Sequence, residues 1–266
     1  GIPVMVVDAG VAGPALVHPD LVSRRTGPGT ANFRLQPAMT GTEADSALSA
    51  GREIGFSGAA DAAAFGEMGI ANTAAAAMLA HKITGLDLAP LVGRGTGLDD
   101  AGLATKRRLL SEAARRTPAT LGPMEALTEY GGFEIAMMAG AMIGAAEARR
   151  PVLVDGFIAT AAALVACGIA PATRPALVTM PTSPRAVVRI AATTPSCLAR
   201  PPERDGSSSV VVRASSPVVE SRTQHGSSAI SIGVLVAVGT PADSSSTVSV
   251  PSRPPMRAKR LATSSW

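Results

Sequence analysis

The sequence predicts an α/β protein with a doubly wound, mostly parallel sheet and helices on both faces. Three observations support this fold class. Short β-branched runs alternate with helical patterns over positions 1–178, the links between them are short, and two strand-like runs end in an Asp close to a Gly, at Asp8 and Asp155. Alternating strands and helices with short links are typical of parallel sheets covered by helices.

The individual elements follow from hydrophobic periodicity and from cap residues. They are a buried strand within 2–10, a helix over 40–55 that begins with cap-type Thr and Glu residues, an amphipathic helix over 103–116, an apolar and therefore buried helix over 132–148, and a strand over 150–157 that leads directly into a helix. Aromatic residues are only 3% of the 266 residues, so Ala, Val, Leu, Ile and Met must build the core.

The apolar stretch 156–172 resembles a membrane span at first sight. It is shorter than the roughly 20 residues that a span needs, so we interpret it as a buried strand and helix and expect no membrane partner. Cys167 and Cys197 do not make a disulfide framework, and the N-terminus lacks the basic and apolar regions of a signal peptide. These features predict a cytoplasmic protein.

A change in composition near position 178 divides the chain into two predicted parts, an α/β core over 1–178 and a tail over 179–266. Serine occurs five times within positions 1–180 and eighteen times within positions 181–266. Three interpretations of the tail remain open. It is a small β domain with strands at 208–214 and 229–239, an irregular or disordered basic tail, or the product of translation out of frame.

The net charge of +4 is carried by the tail. Positions 181–266 hold ten Lys or Arg and four Asp or Glu, whereas positions 1–180 hold 14 and 16. Trp266 is the only aromatic residue of the tail, which therefore lacks the aromatic side chains on which bases stack. The charge pattern predicts no nucleic-acid partner.

Three glycine loops precede helical patterns, with the sequences GEMGIANT at 66–73, VGRGTGLDD at 92–100 and YGGF at 130–133. Asn72 or Thr73 is suited to cap the helix after the first loop, and a helix N-terminus preceded by glycines binds anions such as phosphate. We expect the loops to gather at the carboxyl ends of the strands, with Lys106 reaching back to a phosphate. Alternatively, the glycines serve turns alone and Glu67 is a solvated acid. The pattern calls for no cofactor and no metal.

The motifs of the predicted core, positions 1–178, also resemble a known family. They are VVDAGVA, GPGTANF, GEMGIANT, GLATKRR, GGFEIAMMAGAMIGAA, PVLVDGFIATAAALVAC and APATRP, in that order. Together they are similar to nicotinate-nucleotide–dimethylbenzimidazole phosphoribosyltransferase, an enzyme of cobalamin biosynthesis. The resemblance implies transfer of phosphoribose from nicotinate mononucleotide to 5,6-dimethylbenzimidazole, with inversion at the ribose carbon, and a homodimer.

The resemblance implies roles for individual residues. Lys106 corresponds to a lysine near the phosphate, Glu67 to an acid near the ribose and the benzimidazole edge, and Asp155 to an acid of the same cleft whose role stays open. Glu67 is therefore the candidate supporting catalytic residue. The candidate phosphate- and ribose-binding residues are Gly66, Gly69, Asn72, Thr73, Gly95, Gly97, Lys106 and Asp155.

Several departures from the family pattern bear on activity. The family's general base is a second glutamate in a GEGSGA-type segment expected near position 210, where this chain has Val210. We expect the N-terminal part of the family fold to be missing, and Ala71 and Ala74 stand where the family usually has a glycine and a threonine. We therefore expect little or no turnover by this chain alone. A non-catalytic nucleotide or benzimidazole binder is the alternative.

Overall fold

The computed structural model describes residues 4–95, 97–179 and 231–232. The helices are α1 (Gly41–Ser57), α2 (Asn72–Thr84), α3 (Leu88–Leu91), α4 (Asp100–Ala114), α5 (Pro123–Tyr130), α6 (Phe133–Glu147) and α7 (Phe157–Ile169), with a 3₁₀ helix at Pro171–Ala176. The strands are β1 (Val6–Asp8), β2 (Leu21–Ser23), β3 (Ala63–Ala64), β4 (Met68–Gly69), β5 (Val152–Val154), β6 (Leu177–Thr179) and β7 (Ser231–Ile232).

The strands pair mostly in parallel, which confirms the predicted fold class. Strands β1 and β2 form one parallel pair, and β3, β5 and β6 form a parallel sheet with β5 in the centre. Strands β4 and β7 form a short antiparallel pair. The strands are only two or three residues long, shorter than the predicted runs. One reason is that the chain turns soon after β5, where Gly156 has a φ of +87°.

Helix α1 begins with the predicted cap. The Thr40 hydroxyl accepts from the Glu43 backbone N–H at 3.2 Å, and the Glu43 carboxylate accepts from the Thr40 N–H at 2.7 Å. This reciprocal capping box satisfies two backbone donors that the first turn of a helix leaves open. Local sequence therefore fixes where α1 starts.

Helices α1 and α6 pack backbone against backbone through glycines. A Cβ atom added at Gly51 or Gly55 of α1 would lie 1.9 or 2.0 Å from a carbonyl oxygen of α6. The relation is reciprocal, because a Cβ atom at Gly140 or Gly144 of α6 would lie 2.0 or 2.1 Å from a carbonyl oxygen of α1. No side chain other than hydrogen fits at these four crossing points.

Helices α6 and α7 form much of the core. Every residue of α6 from Phe133 to Ala145 is buried, as the apolar sequence predicted, and α7 is buried from Ala159 to Cys167. Helix α7 accounts for the apolar stretch that resembled a membrane span. Across the described ranges, no helix combines the length and the apolar character that crossing a membrane requires.

The loop after β1 packs against the start of α6. The carboxylate of buried Asp8 accepts from the Gly10 and Val11 N–H groups at 2.9 and 3.0 Å and from the Arg25 guanidinium at 3.1 Å. Gly10 has a φ of +146°, and a Cβ atom there would lie 2.7 Å from the Phe133 ring. The first loop of the chain thus reaches the helix that begins beside the candidate site.

Predictions about the tail fall mostly outside the described residues. The proposed strand at 208–214 and Val210 both lie outside the described residues. So does most of the tail, whose origin is one of the open interpretations. Of the proposed strand at 229–239, the structure describes Ser231–Ile232, which is a strand. The division of the chain near position 178 stays a prediction.

Candidate functional site

The GEMG segment, residues 66–69, connects β3 to α2 and carries Glu67. The Glu67 carboxylate is half-buried and accepts a hydrogen bond from the side-chain amide of Asn72. Burial, followed by the negative charge of Glu134, raises the pKa of Glu67 to about 7, against the opposing effect of the Asn72 hydrogen bond. A carboxyl group with such a pKa can both accept and donate a proton near neutral pH.

No side chain acts as the N-cap of α2, so the prediction that Asn72 or Thr73 caps the helix there is wrong. The N-cap residue is Ala71, which has no polar side chain and adopts the left-handed conformation with a φ of +70°. Its carbonyl oxygen accepts from the N–H groups of Ala74 and Ala75 at 2.9 and 3.2 Å. The amide of Asn72 is turned toward the GEMG loop, and its oxygen accepts from the N–H of Thr73 at 2.7 Å.

Lys106 reaches from α4 to the first turn of α2. Its Nζ donates to the Thr73 hydroxyl at 2.9 Å and to the Gly93 carbonyl oxygen at 3.2 Å. Burial lowers the pKa of this amine from its ordinary value. The side chain therefore reaches back to the loop that precedes its own helix, as its position in the sequence suggested. Its contact with a phosphate stays a prediction.

The second glycine loop closes around the same amine. Gly95 has a φ of +60°, and a Cβ atom there would lie 3.4 Å from the Thr73 hydroxyl and 3.6 Å from Lys106 Nζ. The loop thus needs a glycine here for its backbone conformation and leaves little room beside the lysine. Gly97, with a φ of +107°, lies further along the loop, where a Cβ atom would meet nothing within 4 Å.

Gly66 and Gly69, the two glycines of the first loop, have surroundings that differ from those of Gly95. A Cβ atom at Gly66 would meet nothing within 4 Å. Gly69 ends β4, where it lies opposite Ser231 of β7. The space beside Gly66 is compatible with a ligand, and the predicted approach of these backbones to phosphoribose stays a prediction.

Glu134 also belongs to this site, although it is not among the candidate residues predicted from the sequence. It lies in the first turn of α6, is 2% exposed, and is close enough to Glu67 for its charge to raise the pKa of that residue. Its carboxyl group folds back over Gly132, where a Cβ atom would lie 2.5 Å from both carboxyl oxygens. The available signal was an acid in the first turn of a largely apolar helix that begins directly after two glycines.

The three glycine loops lie close together, but, contrary to the prediction, they do not all extend from the carboxyl ends of strands. The first loop follows β3, whereas the second follows α3 and the third follows α5. Only the first therefore extends from the carboxyl end of a strand. Helix packing brings the other two close, because Lys106 joins the second loop to α2 and Glu134 lies beside Glu67.

Asp155 lies at the same edge as the GEMG loop. Strands β3 and β5 are parallel neighbours, with Ala64 opposite Leu153, so the residues that follow them emerge at one edge of the sheet. Asp155 is exposed there. This placement is compatible with an acid that lines the cleft, and its role stays open. Among the residues that the structure describes, no three or more His, Cys, Asp or Glu side chains are grouped to hold a metal ion.

The site therefore combines a half-buried lysine at a helix N-terminus with two neighbouring carboxyl groups. A cation beside the positive end of a helix is suited to a phosphate, and an acid that titrates near pH 7 is suited to proton transfer. The fold and the site define an α/β protein in which a lysine and two acids gather near the start of α2.

Comparison with protein families identifies this class more closely. A family model described as phosphoribosyltransferase matches residues 1–194. Since this match covers most of the 266 residues, the chain belongs to that phosphoribosyltransferase family. The resemblance found in the sequence motifs is thereby confirmed.

Individual relatives agree with this assignment. The chain is 54% identical over 173 residues to nicotinate-nucleotide–dimethylbenzimidazole phosphoribosyltransferase of Aromatoleum aromaticum, covering 64% of this chain and 50% of the relative. It is 44% identical over 182 residues to the enzyme of the same name from a Roseiflexus species, covering 67% and 52%. The crystal structure of CobT from Thermus thermophilus superposes with a TM-score of 0.61 at 43% identity, covering 65% of this chain and 53% of that one. The chain thus spans about half the length of the curated relatives it matches.

Proposed function

We propose that this chain carries the phosphoribose-binding part of a transferase that acts on nicotinate mononucleotide and 5,6-dimethylbenzimidazole. The products are α-ribazole 5′-phosphate and nicotinate, in the assembly of the cobalamin nucleotide loop. The observation that carries the proposal is the amine of Lys106 at the first turn of α2, together with the neighbouring acids Glu67 and Glu134. The names of the relatives supply the substrates.

In the proposed complex, the phosphate binds between Lys106 and the start of α2. Lysine provides a point charge, and the helix N-terminus provides the positive end of its dipole. Asn72, Thr73 and the glycines of the two loops line the phosphoribosyl group. A half-buried amine interacts more strongly with phosphate than an exposed one, because less water screens the charges.

The reaction is an in-line displacement at the ribose carbon. A nitrogen of the benzimidazole attacks, the bond to the nicotinate nitrogen breaks on the opposite face, and that nitrogen leaves as a neutral pyridine. The benzimidazole N–H proton must then be accepted by a base. Glu67, with its raised pKa, is the supporting acid in this proposal. The general-base glutamate expected near position 210 is replaced by Val210, so we expect little or no turnover by this chain alone.

Calorimetry and product analysis test the proposal together. We expect micromolar binding of nicotinate mononucleotide and no detectable α-ribazole phosphate when both substrates are supplied. Turnover would overturn the expected inactivity, and an absence of binding would overturn the proposed phosphoribose site. Binding of both substrates without turnover, even in a chimera that extends this chain with the segments of a relative beyond the matched region, favours the non-catalytic binder.

The family resemblance also supports a proposed homodimer. Light scattering on the purified chain tests it, with twice the 26.7 kDa chain mass as the expected result. A monomer at all accessible concentrations would contradict this part of the proposal.

A further inference from the structure

A second lysine, Lys82, is buried at the far end of α2. It lies in the last turn of that helix and is 1% exposed. Its Nζ donates to the carbonyl oxygens of Ala114 and Pro118, both at 2.7 Å, and lies 3.5 Å from that of Thr117. These carbonyls belong to the last residue of α4 and to the segment that follows it, so Lys82 holds the C-terminal end of α4.

Helix α4 depends on such polar contacts because little of its surface is buried. Leu110 and Ala113 are its only buried residues. Near its C-terminal end, the hydroxyl of buried Tyr130 also donates to the Ala113 carbonyl oxygen at 3.1 Å. Apolar burial stabilises a helix in proportion to the area removed from water, so two buried residues fix the orientation of α4 only weakly.

The two lysines join the same pair of helices at opposite ends of α2. Lys106 of α4 contacts Thr73 in the first turn of α2, and Lys82 in the last turn contacts Ala114. Lys106 and Ala114 are eight residues apart, or about 12 Å along a helix. A small tilt of α4 about its C-terminal end would therefore move Lys106 away from the start of α2.

We propose that Lys82 is a positioning residue for Lys106, because it anchors the C-terminal end of α4 and so sets where the Lys106 amine meets the first turn of α2. This inference rests on the proposed function for one point only, which is the role of Lys106 as a phosphate ligand. The placement of Lys106 can be measured without any ligand.

Competitive amine labelling of Lys106 across a pH series, with detection by mass spectrometry, measures that placement. The chain has only three lysines, Lys82, Lys106 and Lys259, so their peptides are easily distinguished. In the unmodified protein, burial lowers the pKa of Lys106. In Lys82→Met we expect this pKa to rise toward its ordinary value, because a displaced α4 returns the amine to water.

The matched control is His81→Ala, in the same turn of α2. His81 contacts the Leu86 carbonyl oxygen rather than α4. This variant should lose some stability and leave the titration of Lys106 unchanged. If Lys82→Met does not fold, Lys82→Gln keeps an amide donor for one carbonyl and gives the same comparison. A folded Lys82 variant in which Lys106 titrates as in the unmodified protein would overturn the proposal, as would an equal shift in His81→Ala.

A double-mutant cycle adds a ligand readout. We expect Lys82→Met to weaken binding of nicotinate mononucleotide about tenfold, and to have no further effect when Lys106 is already Met. Equal losses in both backgrounds would show that Lys82 acts independently of Lys106, against the proposal. If the unmodified protein does not bind the nucleotide but the labelling shift occurs, the proposed function fails and the positioning role of Lys82 stands.

Discussion

The amine of Lys106 and the hydroxyl of Thr73 are 2.9 Å apart, although 33 positions separate these residues in the chain. This contact brings a charge from α4 to the first turn of α2. It places a cation and a helix N-terminus side by side, and each favours an anion.

Substitution of Lys106 should therefore weaken phosphate binding more than folding. In Lys106→Met, we expect the affinity for nicotinate mononucleotide to fall about 10- to 100-fold, because a charge-assisted hydrogen bond contributes roughly 1.5–3 kcal/mol. Isothermal calorimetry measures the change. Arg107→Met, an exposed neighbour on the same helix, is the matched control and should bind within about twofold of the unmodified protein. Equal losses in the two variants would argue against a specific role for Lys106.

The raised pKa of Glu67 should make the free energy of unfolding depend on pH. Glu67 keeps its proton up to about pH 7 in the folded protein, whereas an ordinary glutamate loses it near pH 4.5. Its contribution to stability is thus fully present below about pH 4.5 and is lost as the pH rises through 7. At pH 8, Glu67→Gln should be more stable than the unmodified protein, by on the order of 2 kcal/mol after allowance for solvent screening. Urea denaturation at pH 4.5 and pH 8 measures the difference.

One further variant separates the causes of this effect. Glu134→Gln removes the like charge beside Glu67 and should lower the pKa of that residue, as followed by carbon NMR of the Glu67 carboxyl. If the NMR titration of Glu67 is unaltered in Glu134→Gln, the two acids do not interact as the structure implies.

Replacement of Ala71 by glycine should stabilise the protein. A non-glycine residue in the left-handed region is strained by roughly 1–2 kcal/mol, and Ala71 has a φ of +70°. Ala71→Gly should therefore raise the free energy of unfolding by about 0.5–1 kcal/mol, even though glycine also gains entropy in the unfolded chain. Thermal and urea denaturation measure it.

Ala104→Gly is the control for this substitution, since Ala104 is exposed in the interior of α4. It should cost about 1 kcal/mol, because glycine is unfavourable in a regular helix. A loss of stability in both variants would show that the left-handed conformation of Ala71 is not strained.

Gly140 should tolerate no larger residue. A Cβ atom there would lie 2.0 Å from the carbonyl oxygen of Leu48, and no flexible side chain can move aside to admit it. We expect Gly140→Ala to lower stability by at least about 3 kcal/mol, at the upper end of overpacking effects, because α1 and α6 must separate. Denaturation monitored by circular dichroism measures the loss.

Gly41→Ala is the matched control, because Gly41 is the first residue of α1 and a Cβ atom there meets nothing within 4 Å. It should be neutral or slightly stabilising. A stable Gly140→Ala protein with unchanged unfolding would contradict the close packing of the two helices.

Local features of this protein were predictable from sequence. The capping box at Thr40 and Glu43 involves residues three apart, and the burial of α6 follows from its apolar composition. The reach of Lys106 toward the preceding loop was also predictable, because the lysine lies on the helix that the loop opens.

Features that depend on distant residues were not predictable. The proximity of Glu134 to Glu67 joins two loops that are 67 positions apart, and no periodicity carries that information. The lack of a side-chain cap on α2 depends on the left-handed conformation of Ala71, a residue type that rarely adopts it. The first feature depends on tertiary packing, and the second goes against local propensity.

The glycine crossing of α1 and α6 also has a consequence for how the chain folds. The whole segment between Ser57 and Phe133 must form a closed loop when these helices meet, and closing it costs conformational entropy that their docking helps to offset. Neither helix can gain that compensation alone. We therefore expect the contact to form late and cooperatively, so that the amides around Gly51 of α1 and those around Gly140 of α6 gain protection from hydrogen exchange together.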